Sequence, residues 1–75
     1  MKVTYDAETD VLTVILQDAP ARISQEERSG VILDYDAKDR LVAIEILDAS
    51  RRVDGVDVVQ LQVVPKSGAA PEAAE

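Results

Sequence analysis

The residues best placed to do chemistry are carboxylates. Asp34, Asp36 and Glu45 sit on two apolar stretches, Gly30-Val31-Ile32-Leu33-Asp34-Tyr35-Asp36 and Leu41-Val42-Ala43-Ile44-Glu45-Ile46-Leu47. If these pair as antiparallel strands around a turn at 37–40, Asp36 faces Leu41 and Asp34 faces Ala43. Glu45 then stands diagonal to Asp34, within reach of a long side chain. Two acids that close raise the pKa of one of them, as acid–base work requires. Neutralisation by Arg22 or Arg40, or simple solvation, is the plainer reading. The same three acids are weak candidates for a hard cation, because Asp34-Tyr35-Asp36-Ala37-Lys38-Asp39 opens like a calcium loop. Lys38 in a ligand place and the missing glycine after it argue against that loop. Asp6-Ala7-Glu8-Thr9-Asp10 spaces three acids alternately but has no distal Glu. Both clusters read more simply as turns closed by Asx side chains.

Other chemistries are thinner. There is no His and no Cys, so nucleophile–base pairs, disulfides and soft-metal sites have no material. Neither Lys2 nor Lys38 is paired with a serine, and Gly30, Gly55 and Gly68 do not cluster into a phosphate loop. The expectation is a protein that is not an enzyme and carries no cofactor. Eight Lys plus Arg against fifteen Asp plus Glu give a net charge of −7. The cations are scattered apart from Arg51-Arg52, which argues against nucleic acid, whereas the acidity favours a basic protein partner. No apolar run is long enough for a membrane, and Met1-Lys2-Val3 leads into a strand pattern rather than a signal peptide. A cytoplasmic protein without membrane contact is expected.

These acids need strands to hold them. Lys2 to Asp6 alternates, with Val3 and Tyr5 on one face. Val11 to Gln17 is rich in β-branched residues and ends before Pro20. Residues 21–29 fit a short edge strand over Arg22–Glu26 or a loose helical turn. Val31–Tyr35 and Leu41–Leu47 are strands, and Asp48 to Arg52 reads as one helical turn. Asp48 is positioned to cap its amides, with Arg51 and Arg52 near its negative end. Residues 58–64 alternate as a further strand, with Val59, Leu61 and Val63 inward, and Pro65 closes it. A single domain over 1–65 and a disordered tail over 66–75, rich in Ser, Gly, Ala, Pro and Glu, complete the division.

An internal repeat organises these strands. Tyr5-Asp6-Ala7 recurs as Tyr35-Asp36-Ala37, and at the same offset of thirty Val14 matches Ile44 and Leu16 matches Ile46. The fold class that follows is mainly β (β-rich α+β), a small antiparallel sheet built from two repeated hairpins. Val11, Ile15, Ile32 and Leu41 point away from the face of Leu12, Val14, Ile44 and Ile46. A sheet apolar on both sides must cover both, so these four residues are candidates for an interface. A chain of seventy-five residues with 3% aromatics also has little core, which makes a homodimer the expected state.

Gly30 to Asp36 and Leu41 to Arg52, with the opening Met1-Lys2-Val3-Thr4-Tyr5-Asp6 and Asp10-Val11-Leu12, resemble a small prokaryotic domain of unknown function, DUF2283. The resemblance spans roughly Met1 to Val53. Ala43 stands where that family commonly has glycine, and Asp39-Arg40 replaces an acid–glycine turn. The resemblance implies a small β-rich, dimeric domain with no established activity and no catalytic residues to carry over. Family members encoded beside toxin-like proteins suggest an antitoxin-like or partner-binding role. The reading is therefore a protein-interaction module, with a small-ligand or divalent-cation site at the acidic strand pair as the alternative.

Overall fold

The computed structural model describes residues 1–67. Five strands, β1 (Lys2–Asp6), β2 (Val11–Ile15), β3 (Ile23–Arg28), β4 (Val31–Tyr35) and β5 (Leu41–Leu47), precede one short helix, α1 (Ala49–Arg52). They form one antiparallel sheet in the order β1-β2-β5-β4-β3. The mainly β class expected from the sequence is what the chain adopts.

The two hairpins are β1–β2 and β4–β5, and they join through β2 and β5 at the centre of the sheet. Their registers repeat over three successive pairs and part at Tyr5 and Tyr35, which face Leu12 and Leu41. Lys2↔Ile15, Val3↔Val14 and Thr4↔Thr13 correspond to Ile32↔Glu45, Leu33↔Ile44 and Asp34↔Ala43. Across the centre Val14 faces Ile44, its own counterpart in the repeat. A local two-fold axis therefore passes through that pair. Both turns are also closed alike: the Oδ1 of Asp6 accepts the Glu8 N–H at 3.0 Å, and the Oδ1 of Asp36 accepts that of Lys38 at 2.8 Å. Asp10 and Asp39 take left-handed backbone angles in these turns, which Asp tolerates because its short side chain bonds locally. Asp39 thus does the work of the expected glycine.

Alternation separates two faces. Val3, Tyr5, Leu12, Val14, Val31, Leu33, Val42, Ile44 and Ile46 share the first, which is apolar over β1, β2, β4 and β5 and is edged by Gln25 and Arg28 of β3. Val11, Thr13, Ile15, Ile32, Asp34, Ala43, Glu45 and Leu47 share the second. The sheet is one layer thick. Among the described residues only Leu12, Val42, Ala43 and Ala49 are buried hydrophobics, and no large side chain is fully buried.

Three details differ from expectation, and one open alternative is decided. Residues 58–64 form no strand, and Val59, Leu61 and Val63 are exposed rather than inward, because the alternating segment finds no ladder partner. Leu41 faces Tyr35 and not Asp36, owing to a register shift between Asp34 and Tyr35. The ambiguous 21–29 segment is an edge strand, β3, held by β4 even though all its residues are exposed. Asp48 gives α1 no side-chain cap, since it takes a left-handed conformation with φ 52°. The tail expectation falls, from residue 68 on, outside the described residues.

Candidate functional site

Asp34 lies in the middle of β4, where a carboxylate is costly to bury unless its oxygens are satisfied. It is 6% exposed. The Ser24 hydroxyl on the neighbouring edge strand donates to its Oδ1 at 2.5 Å. Its cross-strand partner is Ala43, and the small methyl there leaves room beside it. Glu45, paired with Ile32, stands one diagonal away, as the strand pairing required. The hydrogen bond shared with Asp34 holds the Glu45 carboxyl above its ordinary value, and burial and the neighbouring charge push the same way. The pair breaks the internal symmetry, because Thr4 and Ile15 occupy the equivalent places in the other hairpin.

Asp36, the third candidate, is spent on its own turn. Its Oδ1 accepts the N–H groups of Lys38 and Arg40 at 2.8 and 2.9 Å, and its Oδ2 meets the Arg40 guanidinium at 3.0 Å. The Arg40 amide and then the other donors hold its carboxyl below the usual range, against the opposing effect of burial. Among the described residues no third ligand-type side chain joins Asp34 and Glu45 to form a cation cage. The acid pair can hold a proton between two carboxyls, and it can meet a cationic side chain brought by a partner.

Val11, Ile15 and Ile32 surround this pair on the second face, with Leu41 half-buried beyond the register shift. The opposite face, apolar over β1, β2, β4 and β5, is the wider hydrophobic surface.

Two features escaped the sequence. Asp10 ties α1 to the first hairpin: its carboxylate accepts the Tyr5 hydroxyl at 2.7 Å, the Ser50 N–H at 2.9 Å and the Ser50 hydroxyl at 2.7 Å. Its carbonyl accepts the Ala49 N–H at 3.0 Å. The Ser50 hydroxyl, then Tyr5, holds the Asp10 carboxyl below the ordinary range, and the same bond raises the Tyr5 phenol. The other feature is a shallow groove of about 220 Å³ that brings Arg22, Lys38 and Arg40 together around Asp36 and Pro20. Three cations that are apart in the sequence thus line one groove. Only the paired strands bring these positions together.

The same strands and turns carry a family signature. Residues 2–50 match the family described as Protein of unknown function (DUF2283). The chain belongs to this family. The DUF2283 match covers all five strands and the start of α1, and so takes in Asp10, Asp34 and Glu45 together with Ser50. No curated protein and no solved structure matches the chain. No helix among the described residues is long and apolar enough to cross a membrane.

Proposed function

We propose that this DUF2283 chain is a protein-interaction module that works as a homodimer, with a role in binding rather than catalysis. One observation carries the reading: the sheet is a single layer with large apolar side chains on both faces, none of them fully buried. A stable domain closes such a face against a second layer, and this chain supplies no second layer among its described residues. It exposes 6100 Å² of surface, against about 4,500 Å² for a compact chain of its mass. A standard interface covers about 800 Å² on each partner, so the excess leaves room for one, with the exposed residues of 58–64 contributing to it as well.

The first face, around Leu12, Val14, Leu33, Ile44 and Ile46, is the part to close on a second copy, because over β2, β4 and β5 it carries no charged side chain, and Arg28 stands only at its β3 edge. Stacking it on itself gives a two-layer sandwich with both apolar faces inside. The second face, where Val11, Ile15 and Ile32 flank Asp34 and Glu45, then takes a different protein. A net charge of −7 selects a basic partner there and speeds the encounter. An antitoxin-like protein that masks a basic toxin is one form of that role, and the cytoplasm is its natural setting.

Co-expression of tagged and untagged copies, purified at low salt, tests the reading. Recovery of the untagged copy together with the tagged one supports it, especially with a stoichiometric basic protein that leaves as salt rises. A tagged copy that elutes alone contradicts it.

A further inference from the structure

Residues Val58-Val59-Gln60-Leu61-Gln62-Val63-Val64 have the composition and alternation of a strand, yet they are unpaired. Their five apolar side chains are 63–80% exposed. Exposed apolar strand sequence is an aggregation hazard unless something pairs with it. We propose that this segment of one copy adds as a sixth strand to the outer edge of β1 in a second copy. The proposal rests on the self-association reading above and names the segment and edge that complete it.

The internal two-fold shows which edge is open. The outer edge of β1 is the counterpart of the outer edge of β4, and β3 occupies the latter. Among the described residues nothing occupies the former. β1 is five residues long, straight in register and free of proline. The far edge of the sheet is defended differently. β3 ends in the exposed charges Glu26, Glu27 and Arg28 and carries a register shift between Glu26 and Arg28, two devices that discourage added strands.

The face pattern matches as well. In β1, Val3 and Tyr5 belong to the apolar face, while Lys2, Thr4 and Asp6 belong to the other. An added strand puts Val59, Leu61 and Val63 on the apolar side and Gln60 and Gln62 on the other, so its centre extends both faces, with Val58 and Val64 at its two ends on the Gln side. Main-chain hydrogen bonds supply affinity in this mode of recognition, and the alternate side chains set the register. Exchanged between two copies, the segment would add its apolar side chains to the rim of the face that self-association closes.

Hydrogen exchange by mass spectrometry tests this on the full chain, at concentrations above and below dissociation of the dimer. In the dimer, amides of residues 2–6 and 58–64 should exchange at least about tenfold more slowly than in the monomer. The double variant Val59→Lys/Leu61→Lys should lose protection in both segments. It folds, because both positions lie outside the sheet. A dimer in which neither segment is protected overturns the proposal and leaves self-association standing. Protection that is the same at every concentration also overturns it, since the segment would then pair within its own chain. A chain that stays monomeric throughout overturns the self-association reading itself.

Discussion

Val14 and Ile44 face each other across the central β2–β5 ladder, and each is the other's counterpart in the repeat. The sheet is thus one hairpin used twice about an axis through its own middle. A substitution there acts on both the sheet and the surface proposed to close on a second copy. Ile44→Ala should lower stability by roughly 2–4 kcal/mol where the dimer is populated, the cost of emptying a buried aliphatic site. At high dilution the same change should cost less, because Ile44 is only half-buried in one chain. Urea denaturation at two protein concentrations reads both values.

Asp10 joins Tyr5 on β1 to Ser50 on α1, forty residues further on. Its carboxyl is held below the ordinary range in the folded chain. The stability it contributes is therefore present above the unfolded value of about 3.9 and lost as pH falls through the folded one. Asp10→Asn keeps a residue that tolerates the left-handed backbone and removes the charge. It should lower Tm by roughly 4–8 °C at neutral pH and flatten the acid limb of the stability curve. Thermal melts from pH 2 to 7 check both effects.

Glu45 acts in the opposite sense. Its carboxyl is held above the ordinary value by Asp34, so the folded chain keeps a proton that the unfolded chain gives up. That stability is fully present below the unfolded value of about 4.3 and is lost as pH rises through the raised value. Glu45→Gln stays neutral and retains a donor toward Asp34. The variant should show a flatter stability curve just above the ordinary carboxylate range and be the more stable protein at neutral pH. Denaturant titrations at closely spaced pH values would show the wild-type slope there and its absence in the variant.

Gly30 sits where β4 begins, at φ 81°, with its N–H donated to Glu26 at 2.8 Å and its carbonyl accepting the Leu47 N–H. An added Cβ would lie 2.7 Å from the Arg52 guanidinium, the movable end of a flexible side chain. Backbone strain is therefore the larger effect of Gly30→Ala, at about 1–2 kcal/mol. Gly30→Ala in an Arg52→Ala background should recover only the smaller, steric share. A double-mutant cycle by urea denaturation separates the two.

Much of this was legible in the chain because the signal was local. The repeated Tyr-Asp-Ala turn and the apolar alternation predicted both hairpins, and the strand pairing put Glu45 diagonal to Asp34. What was not legible depended on partners far away in sequence. Residues 58–64 carry as clean an alternation as β5 and still form no strand, because periodicity describes a face and cannot supply a neighbour. β3 shows the reverse: six exposed residues with one large aliphatic among them form a strand since β4 offers an edge. Asp10 looked like one acid in a polar turn. Its pairing with Ser50, and the meeting of Arg22, Lys38 and Arg40, exist only once the sheet has formed.

Sedimentation equilibrium across a hundredfold dilution tests the central claim most directly, comparing the wild type with Ile44→Lys. Self-association through the first face predicts twice the chain mass for the wild type, falling toward one chain on dilution. It also predicts a single-chain mass for the variant throughout. A wild-type mass of one chain at every concentration, in a protein that is folded by circular dichroism, would contradict the account.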